Sequence, residues 1–120
     1  MVKAEIYFSV KCPIKTQEIE NMLRQHLKKR GIKQAEIEVL IESKTKMESL
    51  NLKYMKRRGP TDVLSFPLPK ISKNDNLLGT IVVCCDIIKL NSQKHKVSFR
   101  SEFEKVLTHG ADHLIGIHHK

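Results

Sequence analysis

The clearest strand pattern in the sequence is AEIEVLI, residues 35–41. Ile37, Val39 and Ile41 face one side and Glu36 and Glu38 face the other, which is the period-two pattern of a strand with one buried face. A second β-rich segment, Val2 to Val10, lies upstream, and the residues between the two segments have helical spacing. A strand, a helix and a strand of these lengths favour a parallel pair joined by a right-handed crossover.

The intervening helix opens at Pro13 and Thr16 and is ended by Gly31. Its predicted buried stripe has helical spacing and consists of Ile19, Met22, Leu23 and Leu27. The last turn is basic, which suits the negative end of the helix dipole.

Two further strands and one loop are predicted in residues 61–85. Thr61 to Pro67 is a short strand closed by proline, and Leu77 to Cys85 is a longer strand. The polar residues 69–76 between them form an exposed loop. The pattern therefore predicts one α+β domain over residues 1–120, with a four-stranded mixed sheet packed with helices.

Three more helices are predicted from caps and apolar spacing. Ser43 caps a helix through Tyr54, and Asp86 caps one that runs toward Lys96. Ser98 begins the last helix. The buried face of that helix is formed by Phe103, Val106, Leu107 and Leu114.

The chain is basic, with 22 Lys and Arg against 13 Asp and Glu, a net charge of +9 and a pI near 9.6. This surplus suits a polyanionic partner, nucleic acid above all, or an anionic membrane surface. Two basic clusters strengthen the nucleic-acid interpretation: Lys53, Lys56, Arg57 and Arg58, and Lys89, Lys94, Lys96 and Arg100. Aromatic residues are only 5%, so contacts to phosphates are favoured over stacking on bases.

The cysteines and the N-terminus indicate the compartment. Cys12, Cys84 and Cys85 form no CxxC pair, which predicts reduced, mostly structural thiols rather than a cysteine-rich zinc site. An acidic residue stands where a signal peptide would carry its apolar stretch, and no apolar run approaches the length of a membrane span. We therefore expect a cytoplasmic protein without membrane association.

The C-terminal segment carries the chemistry. His109 and His113 are four residues apart, so on a helix they lie about 40° apart around the axis and about 6 Å along it. Gly116 lets the backbone leave the helix and return His118 or His119 as a third ligand, and the register favours His119. Three histidines with an open fourth position are typical of a catalytic zinc site.

The histidine spacing also matches the metzincin proteases, whose pattern places a glutamate after the first histidine as general base. Gly110 occupies that place here and cannot move a proton, so peptide hydrolysis is disfavoured. Asp112 points away from both ligands and is interpreted as solvated surface or a contact behind the ligands. His26 and His95 are interpreted as surface or partner-contact residues.

Two motifs together resemble one family. The first is H-G-x-x-H-x-x-G-x-x-H over residues 109–119, and the second is PTDVLSFP over residues 60–67, preceded by Leu50-Asn51 and Tyr54. With Leu78-Gly79 and the order of elements, the chain resembles the YbeY family. Its members are small metal-dependent endoribonucleases, also described as ribosomal RNA maturation factors.

The resemblance implies a zincin-like site in which His109, His113 and His119 bind one zinc ion. It implies single-stranded RNA as substrate, with zinc-activated water attacking a phosphodiester, in small-subunit ribosomal RNA maturation and ribosome quality control. Ribosomal RNA and small-subunit ribosomal proteins are the implied partners. A cleft beside the metal would be lined partly by the strand that holds Ser65 and Phe66.

The chain departs from the family's usual residues at three places. Met55 stands where an arginine is usual, Thr80 where an aspartate is usual, and His118 where an aspartate precedes the third histidine. The candidates to replace the arginine in phosphate binding are Lys56, Arg57 and Arg58. The departures leave open a non-catalytic RNA-binding ribosome-assembly factor with a structural metal. A metal-dependent hydrolase of another substrate, such as peptide, is the third alternative.

Overall fold

A computed structural model describes residues 1–68 and 76–118. In these ranges the elements run in the order β1 (Val2–Phe8), α1 (Thr16–Lys29), β2 (Ala35–Ile41), α2 (Lys44–Met55), β3 (Val63–Pro67), β4 (Leu77–Val83), α3 (Cys85–His95) and α4 (Phe99–Leu114). The predicted α+β class is confirmed. The predicted loop at 69–76 lies outside the described residues, apart from Asn76.

The four strands form one mixed sheet in the order β1-β2-β4-β3. β1 and β4 both pair parallel to β2, so Val39 is in register with Ile6 on one side and Ile81 on the other. β3 pairs antiparallel to β4. The parallel pairing predicted for the first two strands is confirmed.

The larger part of the core lies where α1 and α4 pack on the sheet. All the apolar residues predicted on the buried faces of these two helices are buried. A smaller cluster consists of Met47 from α2, Leu64 from β3, Val82 from β4 and Cys84. The alternation that decides β2 is also observed, since Ile37, Val39 and Ile41 are buried. The sheet is therefore covered mainly by the two helices that the periodicity identified.

The predicted caps are partly confirmed. The Ser43 hydroxyl accepts from the Lys46 amide at 3.1 Å, and the Ser98 hydroxyl accepts from the Ser101 amide at 3.0 Å. The prediction that Asp86 caps α3 is wrong, because Cys84 is the N-cap and the helix already begins at Cys85. Asp86 lies in the first turn, where its carboxylate still suits the positive end of the dipole.

Strand ends differ from the predictions by two residues. β1 ends at Phe8, and β4 ends at Val83. The amide of Cys84 donates to the Asp62 carbonyl at 2.9 Å, which extends the β3–β4 pairing by one residue before α3 begins at Cys85. In the described ranges, none of the helices combines the length and the apolar character needed to cross a membrane.

Candidate metal centre and nucleic-acid cleft

Gly110 sets how closely α4 lies on the sheet. A Cβ at this residue would stand 3.0 Å from the Ile81 side chain and 3.2 Å from those of Ser65 and Val63. The Ser65 hydroxyl donates to the Gly110 carbonyl at 3.0 Å. Because this residue faces β3 and β4, a glutamate has no room at the place where the metzincins carry their base.

The end of α4 brings imidazole rings together. The ring centres of His109 and His113 are 4.6 Å apart with their planes at 45°. Two imidazoles on one tetrahedral zinc, with Zn–N near 2.0–2.1 Å, have ring centres about 5 Å apart. The pair therefore fits a shared ion without a change of helix geometry.

The third predicted ligand, His119, lies outside the described residues. The neighbouring His118 lies within them, and its ring centre is 5.0 Å from that of His113 with the planes at 74°. Within residues 1–68 and 76–118, no group of three His, Cys, Asp or Glu is arranged to hold a metal ion. The zinc site with His119 as third ligand stays a prediction.

A cleft of about 540 Å³ runs from this pair along α4. It is lined by the ends of α2 and α3, the segment from Thr61 into β3, and one face of α4. The polar and charged side chains that line it include Asn51, Arg57, Asp62, Ser65, Asn91, His95, Glu102, Lys105, His109 and His113. The strand predicted to border the site does so through Ser65, while Phe66 packs edge-to-face on Tyr54 with ring centres 5.2 Å apart.

Glu102 is a buried carboxylate in the wall of this cleft, with 3% of its surface exposed. His95 Nδ1 lies 2.8 Å from Glu102 Oε1, and the His95 side chain is 45% exposed. Glu102 is seven residues before His109, so it lies on the same helix face about 10 Å away along the axis. His95 is exposed, as predicted from the sequence, but its contact with this buried carboxylate was not predicted. The 102-106-109-113 spacing is the signal that could have placed Glu102 in the site.

Asp112 lies on the opposite side of α4 and is buried, contrary to its interpretation as solvated surface. Its carboxylate accepts from Arg30 Nε at 3.0 Å and from Arg30 Nη2 at 2.8 Å, and it lies 2.7 Å from His26 Nε2. These hydrogen bonds raise the pKa of Arg30. His26 is thus a contact between α1 and α4 rather than a surface residue. Asp112 and His26 are less exposed than predicted because the face of α4 that carries Asp112 packs against α1.

The three candidate phosphate-binding residues have different surroundings. Arg57 lines the cleft, as does Met55. Lys56 has a left-handed backbone with φ 56° at the C-cap of α2, and its Nζ donates to the Lys53 carbonyl at 3.3 Å. Arg58 is exposed but does not line the cleft. Arg57 is therefore the cation that the turn directs to the site.

Two polar contacts support the elements around the cleft. Asn51 is buried, and its Nδ2 donates to the Gly59 carbonyl at 3.0 Å, which holds the turn between α2 and β3. The Thr80 hydroxyl donates to Glu38 Oε1 at 3.1 Å. The Thr80 side chain thus joins β4 to β2. An aspartate at position 80 would place a second carboxylate beside Glu38 and repel it.

Residues 6–120 match the family described as Endoribonuclease YbeY. The chain belongs to the YbeY family. Endoribonuclease YbeY of Buchnera aphidicola from Acyrthosiphon pisum is 38% identical over 85 residues, which is 70% of this chain and 55% of that protein. The YbeY protein of Blochmanniella pennsylvanica is 39% identical over 88 residues, 72% of this chain and 56% of that protein.

The YbeY protein of Aquifex aeolicus is 29% identical over 107 residues, or 89% of this chain and 71% of the relative. The solution structure of TM1509 from Thermotoga maritima matches all of this chain and 75% of that one, with a TM-score of 0.67 and 28% identity. The chain spans about half the length of the first two YbeY relatives. The family and the fold are thus established together.

Proposed function

We propose that this chain is a single-strand-specific, metal-dependent endoribonuclease that acts in small-subunit ribosomal RNA maturation and ribosome quality control. The observation that carries the proposal is the pair of imidazoles, His109 and His113, at one end of a cleft that also holds Arg57 and Lys105. The relatives that share the family are named endoribonucleases. Two histidines that can bind a metal ion, next to cationic side chains that can bind phosphates, are suited to the cleavage of a polyanion such as RNA.

His109 and His113 would hold one zinc ion, with His119 as the predicted third ligand. When bound, zinc supplies Lewis-acid activation of a phosphate oxygen and of water. Zinc measured in His118→Ala and His119→Ala variants tests the third ligand. We expect the His119→Ala variant to lose zinc and the His118→Ala variant to retain it. The reverse result would make His118 the ligand.

The cleft residues would bind and orient the RNA. Arg57 from the turn after α2 and Lys105 from α4 both line the cleft and would contact phosphates, and His95 adds a ring that contacts buried Glu102. Aromatic residues line little of this cleft, so contacts to phosphates would supply the affinity. The small-subunit ribosomal RNA and its proteins are the proposed partners.

Peptide hydrolysis is not supported by the geometry. Gly110 faces the sheet, and its surroundings at 3.0–3.2 Å exclude the glutamate that a metzincin uses as base. Along the helix axis Glu102 lies about 10 Å from His109 and about 16 Å from His113, too far to abstract a proton there directly.

The second candidate is a non-catalytic RNA-binding ribosome-assembly factor that keeps its metal for structure. Met55 favours it, because an apolar side chain lines the cleft where the family usually has an arginine. Both candidates predict RNA binding, so binding alone does not separate them.

The deciding experiment incubates the zinc-loaded chain with one RNA sequence as a single strand and as a duplex. Binding and cleavage are measured in parallel. Our proposal predicts cleavage of the single strand and at least tenfold slower cleavage of the duplex. Binding without cleavage of either form would contradict it and support the assembly factor.

A further inference from the structure

Two cysteines far apart in sequence meet outside the cleft. Cys12 lies in the connection between β1 and α1, and Cys85 is the first residue of α3, 73 residues later. Their sulfur atoms are 2.6 Å apart, and both residues are free thiols. The fold thus holds two thiols in direct contact.

We propose that Cys12 and Cys85 are a redox-active pair that a peroxide converts into a disulfide and a dithiol reductant restores. An S–S bond of about 2.05 Å requires only a small further approach of two side chains already in contact. This property concerns a different part of the fold from the metal centre and does not depend on the proposed nuclease activity.

The two thiols differ in the way that such chemistry requires. Cys12 is half-buried, so a small oxidant can reach it, whereas Cys85 is buried. The Cys85 thiol donates a hydrogen bond to the Cys12 sulfur, which lowers the pKa of Cys12 to about 7 and raises that of Cys85. The thiolate is the form that attacks, so Cys12 is the nucleophile and Cys85 the resolving thiol.

The reaction balances in two steps. The Cys12 thiolate attacks one oxygen of hydrogen peroxide, forming a sulfenic acid as the O–O bond breaks and hydroxide leaves. The Cys85 sulfur then attacks the Cys12 sulfur, the S–O bond breaks, and the oxygen leaves as water with the thiol proton. The hydroxide takes up the proton that Cys12 released on ionisation, so in total the two thiols lose two electrons and two protons and peroxide is reduced to two waters.

Cys84 is a matched control supplied by the chain itself. It is next to Cys85 but faces the other side of the sheet, where it packs with Met47, Leu64 and Val82. Burial raises the pKa of its thiol. Cys84 therefore shares the sequence neighbourhood of the pair without its contact or its reactivity.

The disulfide would stabilise the fold without changing the cleft. It closes a loop of 73 residues between the β1–α1 connection and α3, which restricts the unfolded chain. Neither cysteine lines the cleft. We expect the Tm of the oxidised chain to be about 10 °C above that of the reduced chain.

The test treats the full chain with hydrogen peroxide, blocks remaining thiols with iodoacetamide, and counts them by mass spectrometry without reductant. The unmodified chain and a Cys84→Ser variant should each lose two thiols and two hydrogen atoms, gain Tm, and revert with dithiothreitol. Cys12→Ser and Cys85→Ala variants should show none of these changes.

Three blocked thiols in peroxide-treated chain would overturn the proposal, as would a linked peptide containing Cys84. If a Cys85→Ala variant does not fold, the thiol count and peptide map of the unmodified chain and the Cys84→Ser variant still decide. Cleavage of RNA by the oxidised and reduced chains is measured separately, so failure of either proposal is distinguishable.

Discussion

Arg30, the C-cap of α1, and Asp112 on α4 form a two-point ion pair, with nitrogen–oxygen distances of 3.0 and 2.8 Å. His26 of α1 contacts the same carboxylate, so one buried acid binds both the last turn of α1 and its C-cap. Asp112 precedes His113 along the chain. The contact therefore fixes the rotation of α4 about its axis, and with it the direction of the histidine face toward the cleft.

Replacing Asp112 with alanine should lower the free energy of unfolding by about 1–3 kcal/mol, since charge-assisted hydrogen bonds to a buried carboxylate are lost. Urea denaturation measures this. Glu104→Ala on the exposed face of α4 is the matched control and should change stability by less than about 0.5 kcal/mol. Equal stability of the two variants would show that the Arg30–Asp112 pair does not hold the helices together.

Gly110→Ala should destabilise the chain by about 1–3 kcal/mol, because the added Cβ meets Ile81, Ser65 and Val63 at 3.0–3.2 Å. Alanine has a higher helix propensity than glycine by about 1 kcal/mol, so the sign of the change is diagnostic. Thermal and urea unfolding both report it, with Thr108→Ala as the control on the same helix. A stabilised Gly110→Ala variant would contradict the close packing described for α4.

Arg57→Ala should weaken binding of single-stranded RNA about tenfold, whereas Arg58→Ala should change it less than twofold. The two arginines are adjacent and equal in charge, but only Arg57 of the two lines the cleft. Since each phosphate contact releases counterions, the salt dependence of binding should become shallower in the Arg57 variant. Fluorescence anisotropy at several salt concentrations measures both effects. Equal losses of RNA affinity in the two variants would indicate general electrostatic attraction between the basic chain and RNA instead of a contact in the cleft.

The reactivity of Cys12 should rise with pH and reach half of its maximum at about pH 7, where the pKa lowered by the Cys85 hydrogen bond lies. The thiolate is the reactive form, so the rate falls as pH drops through this value and levels above it. Iodoacetamide labelling of the reduced chain, followed by peptide mapping, measures the profile. In a Cys85→Ala variant the midpoint should move upward. An unchanged midpoint would show that Cys85 does not set the pKa.

Much of the fold was predictable because its signals are local. The alternation in β2 and the side-chain caps at Ser43 and Ser98 each depend on a few neighbouring residues, and the structure confirms them. The proximity of His109 and His113 was likewise predictable, since side chains four residues apart on a helix lie next to each other on its surface.

The missed contacts are long-range. Asp112 and His26 are 86 residues apart, so their contact depends on how α4 packs against α1. His95 and Glu102 are close in sequence, but they belong to two helices whose relative placement no local pattern gives. Cys12 and Cys85 are 73 residues apart and are brought together by the tertiary fold. These contacts could be identified only from the tertiary structure, whereas the histidine motif was identified from the sequence alone.

We propose that His109 and His113 bind a metal ion that RNA cleavage in the adjacent cleft requires. Zinc content and single-stranded RNA cleavage, measured for the unmodified chain and a His113→Ala variant with and without a chelator, test this directly. We predict about one zinc per unmodified chain, with zinc and cleavage both lost in the variant while RNA binding persists. Cleavage that is equal in both proteins and unaffected by the chelator would contradict the claim.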